Sequence, residues 1–200
     1  MIIFLAMVIA CVMMFTSKEA QTLSEGGIGF LKYFTTQSNI LIGLASLLSF
    51  IYLLIKKDKY PLWLATTKMV ATTAVFVTFI TVMVWLGPIY GYPFLLSGAN
   101  LFMHLLIPVA SIAQFLTIIP HKEAKFVSNC FSMIPVFLYG VFYLSNLAAN
   151  NGYGNVNYDW YQFGRFGIGF GILIFMGMLA ICFGLSVALY YLNKLIKIVK

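Results

Sequence analysis

Every Lys, Arg, Asp and Glu of this chain lies outside six apolar runs: Ile2–Phe15, Tyr33–Ile55, Met69–Leu86, Leu95–Ile119, Phe126–Ala149 and Phe166–Leu192. Runs that long and charge-free constrain the fold more than any other feature. A helix needs about 20 apolar residues to cross a bilayer, and most of these runs reach that length. The first is short and is expected to extend into residues 16–23 or to tilt little. With 62% hydrophobic and 8% charged residues the chain has too little polar surface for a water-soluble domain. The expected fold is an all-α integral membrane protein, a six-transmembrane-helix bundle forming a single domain over residues 1–200. The short connections make neighbouring helices antiparallel, and no internal repeat is visible.

The net charge of +7 is a matter of topology, not of nucleic-acid binding. Lys56, Lys57, Lys59 and Lys68 flank the second loop, Lys122 and Lys125 the fourth, and Lys194, Lys197 and Lys200 the C-terminal tail. Only Lys18, Lys32 and Arg165 flank the alternate loops. Nine against three is a positive-inside pattern with both termini cytoplasmic. Val8-Ile9-Ala10-Cys11 resembles a lipoprotein cleavage box. No basic residue precedes the apolar run, so the segment is kept as the first helix. Cys11, Cys130 and Cys182 fit no metal site and read as buried free thiols.

Four further features bear on packing. Gly167-x-x-x-Gly171 and Ala180-x-x-x-Gly184-x-x-x-Ala188 are small-residue stripes of the kind that bring membrane helices close. Pro108 and Pro135 interrupt the fourth and fifth runs, and each frees a backbone carbonyl. Pro108 shares a face with His104, where a kink would open space beside the imidazole. The Asn150–Gly164 loop carries aromatics that, with Trp85, Tyr90 and Tyr92, suit an interfacial belt; covering a site is its other reading.

His104 stands alone within a charge-free run. An ionisable group there is a functional-site candidate, and histidine is the natural general base near neutral pH. Asn100 lies one turn before it and Ser111 further along that side. The second run opens with Thr35-Thr36-Gln37-Ser38-Asn39, where Thr35 and Asn39 share a face continuing to Ser46 and Ser49. By topology Thr35 and His104 fall in the outer third of the bilayer. If they meet, His104 can take the Thr35 proton, and Thr35 can attack a carbonyl to give an acyl-enzyme that water then cleaves. First-turn N–H groups, Asn39 and Asn100 are candidates to hold the oxyanion or position substrate. Asp159 is the only acidic side chain with a conceivable reach to orient the histidine. The competing reading is that Thr35, Asn39, Asn100 and His104 only join helices by hydrogen bonds, as in a non-enzymatic scaffold or partner subunit. A small transporter ranks last, because no acidic residue lies within a run.

Lys32-Tyr33-Phe34-Thr35 resembles the threonine segment of the androgen-induced-gene family. Asn100-Leu101-Phe102-Met103-His104-Leu105-Leu106-Ile107-Pro108 resembles its histidine segment, with Val84-Trp85 and Tyr90-Gly91-Tyr92-Pro93 following in order between them. The resemblance is dispersed over most of the chain from Lys32 onward. It implies a bacterial relative of multi-pass membrane hydrolases that split fatty acid esters of hydroxy fatty acids, with Thr35 and His104 as the catalytic pair. Hydrolysis and acyl transfer both remain open, as does Thr36 in place of Thr35. The expected partners are membrane lipids and a long-chain acyl ester. No cofactor, metal or nucleic acid is called for, and the expected location is the bacterial cell membrane.

The charge pattern predicts that single cysteines placed in the Asn150–Gly164 loop react with a membrane-impermeant maleimide from outside intact cells. Labelling only after the cytoplasmic face is opened would reverse the topology.

Overall fold

The computed structural model describes residues 1–16, 27–56, 60–117 and 125–198. Lys18, Lys57, Lys59, Lys122 and Lys200, the side chain of Lys197, and the expected extension of the first helix over residues 17–23 lie outside the described residues. The described chain is helical, with six main helices. These are α1 (Ile2–Thr16), α2 (Phe34–Lys56), α3 (Leu62–Tyr90), α4 (Gly98–Thr117), α5 (Ser128–Asn150) and α6 (Ile168–Ile198). A 3-10 turn, Gly27–Lys32, precedes α2, and a single helical turn, Tyr92–Leu95, precedes α4. Helices α2 to α6 are long and apolar enough to cross a membrane. At 15 residues α1 spans only about 22 Å, short of a hydrocarbon core about 30 Å thick.

Helix α3 is the centre of the bundle. Of its apolar window 56% is buried, against 22% for α6. Helix α1 buries Ile3, Met7, Ala10 and Met14, spaced as one helical face: Ile3 and Met7 pack with Ile42 and Ala45 of α2, Ala10 and Met14 with Phe30 and with Ala99 and Met103 of α4. Gly43 of α2 makes that approach possible, because a Cβ there would lie 2.6 Å from the Met7 methyl carbon.

Helix α3 begins at Leu62, seven residues before the expected Met69, and this corrects the reading of Lys68. In sequence a lysine marks the end of an apolar run. Instead Lys68 is fully buried, its ammonium donating to Ser46 Oγ at 2.7 Å and Gln114 Oε1 at 2.6 Å. Three helices thus meet at a buried lysine amine whose partners among the described residues are neutral oxygens. It is an interior residue and leaves the set of loop anchors.

The glycine stripes are also corrected. Gly171 does pack closely, with Leu144 3.0 Å from a notional Cβ, but Gly169, Gly177 and Gly184 face open space. Ala180, Gly184 and Ala188 lie on the exposed side of α6. The inward face is instead Cys182, Ser186, Leu189 and Asn193. Ser186 donates to Asn129 Oδ1 and Ser132 Oγ, and Asn193 donates to the Phe115 carbonyl. Small polar residues, not the glycines, join this helix to its neighbours. The three cysteines are free, with Cys182 buried but Cys130 exposed.

The prolines act through the turn before them. Val82–Leu86 and Phe102–Leu106 are π-helical turns, in which Gly87 N–H reaches Val82 O and Ile107 N–H reaches Phe102 O. The next bond in that register would come from residues 88 and 108. Both are proline and have no N–H. The orphaned Met83 carbonyl accepts from the Tyr92 hydroxyl at 2.8 Å, and the Met103 carbonyl from Asn39 Nδ2 at 3.0 Å. Pro135 follows an irregular turn at Met133 that interrupts α5.

The loop from Asn151 to Gly167 folds back into the bundle. Trp160, Tyr161 and Phe163 are buried in the largest apolar cluster, so they are core residues and not a belt. Asp159 is fully buried beneath them.

Lys68 fills volume as well as donating hydrogen bonds. Replacing it with Ala is expected to cost about 2–5 kcal/mol, as for other large-to-small core changes, and Lys68→Met distinctly less. Thermal denaturation in detergent measures both, and a Lys68→Ala protein as stable as wild type would contradict its place in the core.

Candidate functional site

His104 sits in the π-turn of α4, a helical irregularity that frequently marks functional positions. Its Nδ1 lies 2.7 Å from the carbonyl oxygen of Leu95, at the end of the preceding helical turn. A carbonyl only accepts, so Nδ1 carries the proton, and in the neutral ring Nε2 is left as the acceptor. That is the tautomer a general base requires. The orienting group is therefore a backbone carbonyl. Asp159 does not serve: its carboxylate accepts from the Tyr143 hydroxyl and from the N–H groups of Gly154 and Gly164.

Thr35 occupies the first turn of α2, and it and His104 line one small cavity with Thr36, Asn100, Tyr33, Tyr161, Met14 and Leu86. Its volume is about 20 Å3, room for a single water. Four helices, the junction residue Tyr33 before α2 and the loop after α5 contribute to it. Two polar atoms of its lining residues, Thr36 Oγ1 and Asn100 Nδ2, are buried without a hydrogen-bond partner among the described residues. An orphaned amide donor and an orphaned hydroxyl are groups that a carbonyl oxygen or a water satisfies. The structure thus brings Thr35, Thr36, Asn100 and His104 around one space.

Asn39 is not free in the same way. Both of its amide hydrogens are used, one on the Thr35 carbonyl at 2.7 Å and one on the Met103 carbonyl at 3.0 Å. It braces α2 against the turn that holds His104, so the helix-joining reading fits Asn39 better than oxyanion binding. Of the first-turn N–H groups of α2, that of Phe34 is likewise occupied. The Tyr161 hydroxyl accepts from Phe34 N–H at 2.9 Å and also engages the Thr35 backbone and side chain.

Tyr161 is the site residue that sequence reasoning missed. It caps α2, contacts the Thr35 side chain and lines the cavity. Burial pushes its hydroxyl pKa up, opposed by hydrogen bonds from Thr35 and from the Phe34 N–H, so it stays a neutral phenol. It is held by the loop beneath it: Tyr161 N–H lies 3.4 Å from the Tyr143 hydroxyl, which in turn donates to Asp159. The one sequence signal was an acid, Asp159, set among aromatics in a loop that otherwise reads as a turn.

A second cavity, apolar and about 40 Å3, lies on the other side of Thr35. Phe34, Val136, Tyr139, Gly140, Phe163, Phe175 and Met178 wall it, and Thr35, Leu86 and Tyr161 separate it from the polar one. The expected apolar space beside His104 is thus beside Thr35, and His104 borders only the water-sized cavity.

No family model, curated protein or solved structure matches the chain. The geometry itself is what can be read for function.

Asn39→Ala should lower stability by about 1–2 kcal/mol, because it strands the Met103 carbonyl in a place water does not reach. Thermal unfolding in detergent measures this; an unchanged midpoint would mean that the carbonyl finds another donor.

Proposed function

We propose that this protein is an intramembrane hydrolase or acyltransferase of lipid esters, akin to the androgen-induced-gene family, with Thr35 as nucleophile and His104 as base. One observation carries the reading: a threonine and a histidine held in its acceptor tautomer line one water-sized cavity inside an apolar bundle. Simple helix joining does not call for such a space beside two unpartnered polar atoms.

In this reading the Thr35 Oγ attacks the ester carbonyl carbon while its proton passes to His104 Nε2. The oxyanion takes hydrogen bonds from Asn100 Nδ2 and the Tyr161 hydroxyl. The tetrahedral intermediate breaks to expel the alcohol, which receives the proton from His104, and the acyl group remains on Thr35. Water entering the polar cavity gives its proton to His104 and attacks the acyl-threonine. The acid leaves, and Thr35 recovers its proton. An alcohol in place of water gives acyl transfer. The substrate class is a long-chain acyl ester, with fatty acid esters of hydroxy fatty acids the first to try.

The same reading takes α1 as a sixth, short span, both termini as cytoplasmic and the location as the bacterial cell membrane. Five long apolar helices and the lysine distribution support it.

Purified protein should hydrolyse such an ester. Thr35→Ala and His104→Ala should each remove nearly all activity, because a nucleophile and its base act as a unit. A fluorophosphonate should label the wild type at Thr35. Thr36→Ala is the control for register: if it alone abolishes labelling, Thr36 is the nucleophile. Folded variants all as active as wild type would leave these residues as helix joiners.

A further inference from the structure

A groove of about 350 Å3 runs between α2 and α5, lined among others by Phe34, Gln37, Leu41, Pro135, Leu138 and Tyr139. Leu138 and Phe142 on its rim are exposed, as is Phe137 beside them, so in a membrane the groove opens onto lipid. The apolar cavity behind it shares two of its walls, Phe34 and Tyr139. Their rings meet at a centroid distance of 5.1 Å, tilted by 53°. This pair is the partition between groove and cavity.

The partition is latched from one side. The Tyr139 hydroxyl donates to the Lys32 carbonyl at 2.9 Å and accepts from Trp160 Nε1 at 3.0 Å. Both partners belong to segments outside the long helices. Beneath Tyr139, the irregular turn at Met133 and the missing N–H of Pro135 weaken the regular ladder of α5. On the far wall, a Cβ on Gly140 would lie 2.0 Å from the Phe175 ring, so the cavity's depth there depends on glycine.

Three compartments therefore stand in series. The lipid-facing groove leads to Phe34 and Tyr139. The apolar cavity behind them ends at Thr35 and Tyr161. The water-sized cavity beyond holds His104 and Asn100. Thr36, Asn100 and His104 line only the last of the three, so the groups proposed to react lie at the end of the series farthest from the lipid.

We propose that the α2–α5 seam is an acyl-chain site, admitting the chain of a membrane lipid ester sideways from the bilayer, with the Phe34–Tyr139 pair as its gate. The assignment rests on the hydrolase reading for what happens at Thr35, but the chain site is separable from the chemistry. Opening requires Tyr139 to leave Lys32 and Trp160. The chain then lies along Leu41 and Pro135 with its carbonyl end in the cavity at Thr35. Gly140 and Val136 set how much chain the cavity accepts.

The test is photo-crosslinking of the full chain in phosphatidylcholine vesicles with a palmitate ester carrying a mid-chain diazirine, in the His104→Ala background so that the ester stays intact. Labelling should concentrate on Leu41, Leu138, Tyr139 and Phe175 and be competed by unlabelled palmitate ester. Val136→Trp, which fills the cavity, should cut labelling of Phe175 severalfold while sparing Leu138. Gly140→Ala, which pushes the Phe175 ring inward, is the milder second variant and should act in the same direction. Tyr139→Phe, which loses the latch, should raise labelling of Phe175. Labels spread over all lipid-facing helices, or insensitive to competitor and to both cavity variants, overturn the proposal. Competed seam labelling without hydrolysis in wild type upholds the chain site and removes only the chemistry. Thr35-dependent hydrolysis without seam labelling removes only the chain site.

Discussion

A backbone carbonyl that loses its N–H partner in hydrocarbon has no water to turn to. Something in the protein must donate to it. That constraint organises the part of this molecule that matters. Two π-turns each run into a proline, and each leaves one methionine carbonyl bare. Tyr92 answers one locally. Asn39 answers the other across helices, and in doing so it ties the first turns of α2 to the turn that carries His104. The imidazole is then fixed by another backbone carbonyl, that of Leu95. Proline, π-turn, asparagine brace and histidine tautomer form one chain of cause.

The loop between α5 and α6 supplies the other half of the arrangement. A buried carboxylate, Asp159, gathers a tyrosine hydroxyl and two backbone N–H groups, which satisfies its charge away from water. The loop so folded delivers Trp160, Tyr161 and Phe163 into the bundle. Tyr161 then caps α2 where an anion would otherwise bind, and it puts a phenol against Thr35. A tyrosine there has two effects. It quiets the positive end of the helix, and in the hydrolysis proposed above it is a donor to the oxyanion.

Lys68 adds a second polar centre on the far half of α2, about 16 Å from Thr35 at 1.5 Å per residue. It joins α2, α3 and α4 through Ser46 and Gln114. Together with Ser186 and Asn193 on α6, it means that the bundle is held by polar contacts through much of its length. Where lipid is as apolar as the helix faces, such contacts and close packing are what hold helices together.

The amino-acid sequence alone determined the class. Charge-free runs must be helices in a membrane, because only a helix satisfies its own backbone there, and five helices among the described residues are long and apolar enough to cross one. It also singled out Thr35, Thr36, Asn100 and His104, because polar groups within apolar runs are costly and so few that each stands out. It misplaced Lys68, because a charge reads as a boundary until its partners, 22 and 46 residues away, are seen. It read the wrong face of α6, because small residues are equally compatible with lipid. The roles of Asn39, Leu95 and Tyr161 were decided only by the tertiary structure. Each depends on a bond to a backbone group or a distant residue, Tyr161 to Phe34 across 127 positions, and side-chain periodicity carries no information about such bonds. The sequence thus marks which polar groups lie in the membrane, while packing decides which of them are consumed as braces and which are left facing a space.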